Sequence, residues 1–297
     1  MAEDWTVMRV LDWTRDKFEA EGIDNPRLDA ELLLSAALGM PRIQLYARFD
    51  QPLTAEEREA TRSLVRRRLE REPVAYILGR KEFWSLDLAV DDQVLIPRPD
   101  TELMVERALD RIPKGATSKV IDVGTGSGAI ALAFKTERPE ADVYGADLSA
   151  SALEVARQNA ERLGLALSFV QADLLPPEPR RFDLILANLP YIPSREVDGL
   201  MPEVSLHEPR LALDGGENGL EPIERLVVQL PERLAPGGFV LLECGPTQTD
   251  AVAGLLEEQS LTASVYEDLG GLPRLVEARQ RGAPTTTGSS STKAAST

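Results

Sequence analysis

The sequence predicts a doubly wound α/β sheet, seven-stranded and mostly parallel, preceded by a small helical domain and joined to it by a β-hairpin. Three observations carry this prediction. From residue 119 onward, short apolar runs alternate with helical patterns. The first run, Val120-Ile-Asp-Val123, passes directly into Gly124-Thr-Gly-Ser-Gly128 and then Ala129-Ile-Ala-Leu-Ala-Phe134, which reads as strand, glycine turn and helix. Before residue 75 the chain shows helix starts and stops and no β pattern.

The N-terminal stretch 4–21 places Trp5, Met8, Leu11 and Phe18 at helical spacing, and Gly22 ends it. Asn25-Pro26 opens a second helix, with Leu28, Leu32, Leu33 and Ala36 as its buried face, and Gly39 closes it. A short helix fits 42–48. Thr54 and Glu57 form a capping box that opens a helix running to about Arg71. Residues 1–75 are therefore read as a helical substrate-recognition domain without a catalytic motif. Its last helix carries Arg62, Arg66, Arg67, Arg68 and Arg71, expected to form a solvated face balanced by Glu56, Glu57, Glu59 and Glu70. The other reading is a docking surface for an acidic or RNA-associated partner.

Residues 76–100 form the hairpin linker. Its strands are expected over 83–90 and 94–96, joined at Asp91-Asp92. The catalytic domain follows over 101–281. Its strands are expected over 119–123, 142–146, 167–171, 182–187, 239–243, 263–267 and 275–278, the last two antiparallel at one edge. Helices fit 129–138, 151–163, 222–234 and 247–259. The Ser/Thr/Ala-rich tail 282–297 is expected to be disordered.

Composition narrows the class of function. The 297 residues carry a net charge of −16, of which 1–80 contribute only −2 and 81–297 the remaining −14. This balance disfavours direct nucleic-acid binding, which depends on neutralising phosphates. The single cysteine, Cys244, excludes an intrachain disulfide and suits a reducing compartment. No apolar run approaches the roughly 20 residues of a membrane helix. The expectations are a cytoplasmic monomer away from membranes, with no metal site.

Four positions at strand ends carry the chemistry. Gly124 to Ala129 fits a Gly-x-Gly-x-x-Ala fingerprint, whose glycines let the backbone approach a ligand and whose helix offers free N–H groups. Asp147 ends the next strand, 19 residues after Gly128, where a carboxylate can accept both hydroxyls of a ribose. Enzymes using NAD and enzymes using S-adenosylmethionine share this pair, so it indicates an adenosine-type ligand only. Asp173, after the third strand, can receive an adenine amine, though a loop carboxylate is equally well solvated. Asn188-Leu-Pro-Tyr191 follows a buried strand. The Asn188 side-chain carbonyl and the Leu189 main-chain carbonyl can together accept both hydrogens of a planar –NH2 group, with Pro190 and Tyr191 as flat stacking surfaces.

With these residues in place, the chain resembles the bacterial release factor glutamine methyltransferases, the protein-(glutamine-N5) methyltransferases, over about residues 5–280. The resemblance is carried by Leu95-Ile-Pro-Arg-Pro-Asp-Thr-Glu102, the glycine turn, Asp147, Asn188–Ile192, and Glu203-Val-Ser-Leu-His-Glu-Pro-Arg-Leu-Ala-Leu213 with Gly219-Leu220. It implies a class I methyltransferase acting on the glutamine of the Gly-Gly-Gln loop of peptide chain release factors. It implies that Gly124, Thr125, Gly126, Ser127, Gly128, Asp147 and Leu174 line S-adenosylmethionine, and that Asn188, Leu189, Pro190 and Tyr191 hold the glutamine amide. Two departures stand out. Leu189 replaces the family's usual proline, keeping the carbonyl acceptor but losing a fixed φ, and Leu174 stands where many relatives have an aromatic residue.

The expected reaction is in-line transfer from the sulfonium to the amide nitrogen, dominated by positioning. Glu203 and Glu208 are read as holding the cleft loop, His207 as structural and Cys244 as a core residue. The rival readings are a nucleic-acid adenine N6-methyltransferase, which calls for a basic groove; an NAD(P) oxidoreductase, which leaves Asn188–Tyr191 without a role; and a non-catalytic binding protein.

Overall fold

Apolar spacing at the N-terminus folds into helices as the pattern predicts, but the second helix buries Ala30, Glu31, Leu33 and Leu34, and of its expected face Leu28 and Ala36 are exposed. In the computed structural model, which describes residues 5–280, the chain opens with helices α1 (Val7–Ala20), α2 (Pro26–Leu38), α3 (Arg42–Ala47), α4 (Ala55–Leu69) and α5 (Val74–Leu78). The tail expected to be disordered lies outside the described residues. Pro26 occupies the first turn of α2, and Gly39 ends it with a φ of 61°. The capping box of α4 has both arms: Glu57 N–H donates to Thr54 Oγ1 at 3.2 Å, and Thr54 N–H donates to the Glu57 carboxylate at 2.8 Å. Val7, Leu11, Phe18, Leu33, Leu45, Val65 and Ile77 form the core of this bundle. Helix α5 is not expected from the sequence, because five residues are too few to display a period.

The hairpin is displaced from its expected position. It pairs β1 (Arg80–Phe83) with β2 (Leu86–Ala89) and turns at Trp84 and Ser85, not at Asp91-Asp92. Both turn residues have positive φ, 51° and 60°, as a tight two-residue hairpin turn requires. The run Phe83–Val90 is therefore two strands and a turn. Residues 94–96, expected as a strand, form none, and Val94 and Ile96 are buried against Tyr76, Ala152 and Val155.

After a 3₁₀ turn (Pro99–Thr101), the chain continues through α6 (Glu102–Arg111), β3 (Lys119–Val123), α7 (Ala129–Glu137), β4 (Asp142–Asp147), α8 (Ala150–Leu163), β5 (Ser168–Gln171) and β6 (Phe182–Ala187). Two short helices, α9 (Ser194–Val197) and α10 (Pro202–Ser205), and a 3₁₀ turn (Arg210–Ala212) precede α11 (Glu221–Arg233), β7 (Leu234–Glu243), α12 (Thr249–Glu258), β8 (Leu261–Glu267) and β9 (Pro273–Gln280). The seven-stranded sheet has the order β5-β4-β3-β6-β7-β9-β8. All pairs from β5 to β7 are parallel. The expected antiparallel pair, β8 with β9, is present, and β9 is inserted between β7 and β8, antiparallel to both.

Strand β3 shows why its apolar run was legible. Ile121 and Val123 pack on the face covered by α11 and α12, while Val120 packs on the face covered by α6 and α7. A strand buried on both faces is apolar throughout. From β3 the chain winds outward to β4 and β5, then returns to place β6 on the other side of β3. This reversal makes the carboxyl ends of β3 and β6 the topological switch point, where ligands bind in open α/β sheets.

The arginine row of α4 departs from expectation. Arg68 is buried at 4% exposure, where a solvated face was expected, and it pairs with Asp29 at 2.7 Å and with Glu203 of α10 at 2.8 Å. Arg71 also reaches Glu203, at 2.9 Å. Desolvation raises the pKa of Asp29 despite Arg68. At Glu203 desolvation is outweighed by hydrogen bonds and by the two arginines, so its pKa is lowered. These pairs tie the helical bundle to the loop beside the sheet, and the His207 ring adds a contact to the Glu70 carbonyl at 3.2 Å. Among the described residues no helix is long and apolar enough to cross a membrane.

Candidate active site

The strand registers bring the sequence-derived residues to one edge. Val123 is level with Ala146 of β4 and Ala187 of β6, so Gly124, Asp147 and Asn188 emerge side by side. A cavity of about 410 Å³ opens there, within the size range of small-molecule and cofactor sites. Gly124, Thr125, Gly126, Ser127, Asp147, Asp173, Leu174, Asn188, Leu189 and Pro190 all line it. Gly128 and Tyr191 are not among the lining residues. Gly128 is the N-cap of α7 with a φ of 82°, and a Cβ there would stand 3.3 Å from that of Ala156, so its smallness lets α7 pack against α8. The Tyr191 ring packs against the sheet core, and burial, with Glu243 adding, pushes its phenol up to about 12.

The glycine turn is held from behind. Asp122 is fully buried; its Oδ2 accepts from Thr125 Oγ1 at 2.7 Å and from Ala131 N–H at 3.3 Å. Desolvation pushes Asp122 up to about 7. Gly124 and Thr125 both donate to the Ala146 carbonyl, at 2.8 and 3.0 Å, closing the turn onto β4. Gly126 N–H donates to Asp147 Oδ2, and Ser149 N–H to Asp147 Oδ1, each at 2.9 Å. Asp147 is thereby fixed at the cavity edge, with its pKa raised by burial against those hydrogen bonds. Ser149 caps α8, accepting from Ala152 N–H at 3.2 Å.

The far wall carries Asp173 and Leu174. Asp173 is ion-paired with Arg225 of α11, a partner not foreseen from the sequence. Leu174 is buried with a φ of 68°. A left-handed leucine costs energy unless its surroundings fix it, and such residues cluster at ligand sites.

Asn188 meets the 3₁₀ turn on one side and the end of β7 on the other. Its Nδ2 donates to Thr101 Oγ1 at 3.2 Å. Leu242 is level with Ala187, so Glu243 lies beside Asn188. The Glu243 carboxyl is buried; desolvation pushes it up to about 7 against lowering by the hydroxyl of Thr101, the charge of Arg274 and the amide of Asn188.

Several site residues were missed in the sequence. Asn159 of α8 joins the hairpin to the glycine turn. Its Nδ2 donates to the Ala89 and Ser127 carbonyls at 3.0 and 2.9 Å, and its Oδ1 accepts from Ala89 N–H at 2.7 Å. Glu208, read from the sequence as holding the cleft loop, accepts from Ile96 N–H at 3.2 Å and from Arg98, which clasps the segment 94–98 over the cavity. A legible signal existed for Glu243 alone: an acid ending the apolar run Phe239-Val-Leu-Leu-Glu243, as Asp122 interrupts the run of β3.

Comparisons with known proteins agree with this architecture. Residues 9–79 match the PrmC N-terminal domain family, and residues 100–217 match the methyltransferase small domain family. A protein of Geobacter sulfurreducens named release factor glutamine methyltransferase is 46% identical over 279 residues, spanning 93% of this chain and 98% of its own. The chain belongs to the release factor glutamine methyltransferase family. A second family member, from Rhodopirellula baltica, is 43% identical over 92% of this chain and 95% of its own. A third, from Bradyrhizobium diazoefficiens, is 44% identical over 87% and 89%. In this release factor glutamine methyltransferase the doubly wound sheet is thus that of a class I methyltransferase, with the helical domain ahead of it.

Proposed function

We propose that this methyltransferase transfers a methyl group from S-adenosylmethionine to the side-chain amide nitrogen of the glutamine in the Gly-Gly-Gln loop of peptide chain release factors. The observation that carries the reading is the orientation of Asn188. Its amide nitrogen is engaged by Thr101 Oγ1, so its carbonyl is the end left to accept from an –NH2 group in the cavity that Asn188 lines.

The residues present fit the cofactor. The cavity has the required volume, Asp147 offers carboxylate oxygens at the ribose position, and the glycine turn gives close backbone approach. Gly124 through Ser127, Asp147, Asp173 and Leu174 would hold S-adenosylmethionine. When bound, it supplies an electrophilic methyl on a sulfonium. Asn188 Oδ1 and the Leu189 carbonyl would grip both amide hydrogens and aim the nitrogen at that methyl, and Pro190 would wall the group. Tyr191 supports the turn from the core side. The buried cluster around Leu189 keeps water from the reacting centre. No residue is required to act as a strong base before transfer, because the methylated amide is acidic while its nitrogen is cationic.

The reading extends to a monomeric, cytoplasmic enzyme whose partner is the release factor, with direct nucleic-acid binding left out by the acidic charge. The buried Cys244 thiol, pushed up to about 12 by desolvation, suits a structural role in a reducing compartment. The proposed bounds remain a helical domain over 1–75, a linker over 76–100 and a catalytic domain over 101–281. The test offers release factor and ribosomal RNA side by side with methyl-labelled cofactor. Label on the protein alone supports the reading; label on RNA adenine overturns it.

A further inference from the structure

An asparagine amide presents an acceptor from one end and a donor from the other, and rotation about its last bond exchanges them. A site that grips an –NH2 group works in one orientation only. The carbonyl must face the ligand.

We propose that Thr101 and Glu243 form an orientation lock that holds the Asn188 amide with its nitrogen inward and its carbonyl toward the substrate, and that Glu243 is therefore a positioning residue for methyl transfer. This rests on the reading of Asn188 given above. Thr101 Oγ1 accepts from Asn188 Nδ2 at 3.2 Å, so its own hydroxyl hydrogen is free to be donated onward. Leu242 is level with Ala187, so Glu243 emerges from β7 beside Asn188 at the end of β6, where the Thr101 hydroxyl and the Asn188 amide both act on its carboxyl. Above about pH 7, the value to which burial pushes it, the Glu243 carboxyl is ionised and acceptor-only. Asn188 can therefore turn only its nitrogen toward it. Glu243 is 3% exposed and Thr101 4%, so water cannot substitute for either. The parts come from three separate elements: the 3₁₀ turn before α6, the end of β6 and the end of β7. Arg274 of β9 keeps the pair from standing alone as an uncompensated charge, and Asp100 faces it from the same turn as Thr101.

The test uses Thr101→Val, Thr101→Ser and Glu243→Gln in the full chain, each first shown to bind S-adenosylhomocysteine as the wild type does. Thr101→Val and Glu243→Gln are expected to lower kcat for a Gly-Gly-Gln peptide by about 10-fold or more, the usual scale for residues that orient a ligand-contacting side chain, with the cofactor KM unchanged. Thr101→Ser, which keeps the hydroxyl, recovers most of the turnover lost in Thr101→Val. Glu243→Gln lets the Asn188 amide rotate and offer its nitrogen, so a Gly-Gly-Glu peptide becomes a better competitive inhibitor relative to the wild type. A role in folding alone predicts no such exchange of preference. If the wild type methylates the peptide and Asn188→Ala does not, but Thr101→Val and Glu243→Gln turn over within twofold of wild type, the lock is wrong. If Glu243→Gln does not fold, the Thr101 pair decides on the same criterion. If the wild type itself transfers nothing to the peptide, the failure lies in the reading of the substrate.

Discussion

Leu189 lies directly over Gly124: a Cβ built on the glycine would stand 3.0 Å from Leu189 Cδ2. The leucine that replaces the family's usual proline thus closes the space above the glycine turn and joins the core between β3 and β6.

This contact predicts a coupled pair of substitutions. Gly124→Ala places a side chain at a φ of 73° and against Leu189, at a cost of about 2 kcal/mol. Leu189→Ala opens a cavity in the core and costs about 3 kcal/mol. The double variant is expected to lose less than the sum, because the shorter residue removes the clash. Chemical denaturation of all three variants measures the coupling.

Asn159→Leu keeps the volume but strands the Ala89 N–H and two carbonyls. The expected loss is on the order of 3 kcal/mol, together with weaker S-adenosylhomocysteine binding, because Ser127 belongs to the glycine turn. Denaturation and calorimetry read the two effects separately.

Arg68→Met leaves Asp29 without a partner and leaves Glu203 with Arg71 only. Removing one member of a buried pair costs about 3–5 kcal/mol. A loss below about 1 kcal/mol in denaturant melts would place this cluster among solvated surface pairs.

The sheet was legible because burial leaves a mark in the sequence. β3 and β6 are covered on both faces, and their apolar runs coincide with the strands observed. The hairpin was misplaced because Trp84 and Ser85 do not announce a turn with positive φ. Tertiary partners hold that turn: Trp84 N–H donates to Glu102 at 2.8 Å, and its indole N–H to Glu137 at 3.2 Å. Gly124, Asp147 and Asn188 could be read singly, since each ends an apolar run. The Thr101–Asn188–Glu243 cluster could not, because its members lie far apart in the chain and meet only through sheet register. Arg68 was misread for the same reason, its partners Asp29 and Glu203 lying on other elements.

Asp122 predicts a pH dependence. Its folded pKa, about 7, stands above the ordinary carboxylate value because of burial. The stability it contributes is therefore present in full below about pH 4 and is lost as pH rises through about 7. Asp122→Asn removes this loss. The melting temperature of the variant minus that of the wild type is expected to become more positive between pH 5 and pH 8 on thermal melts across that range.

The proposed role of Asn188 is to present a glutamine amide to the methyl donor. The most direct measurement is tandem mass spectrometry of a release-factor Gly-Gly-Gln peptide after incubation with S-adenosylmethionine and either wild type or Asn188→Ala. One added methyl on the glutamine side chain is expected with the wild type and none with Asn188→Ala, while both bind S-adenosylhomocysteine. An unmodified glutamine with the wild type, or near-normal methylation by Asn188→Ala, would contradict it.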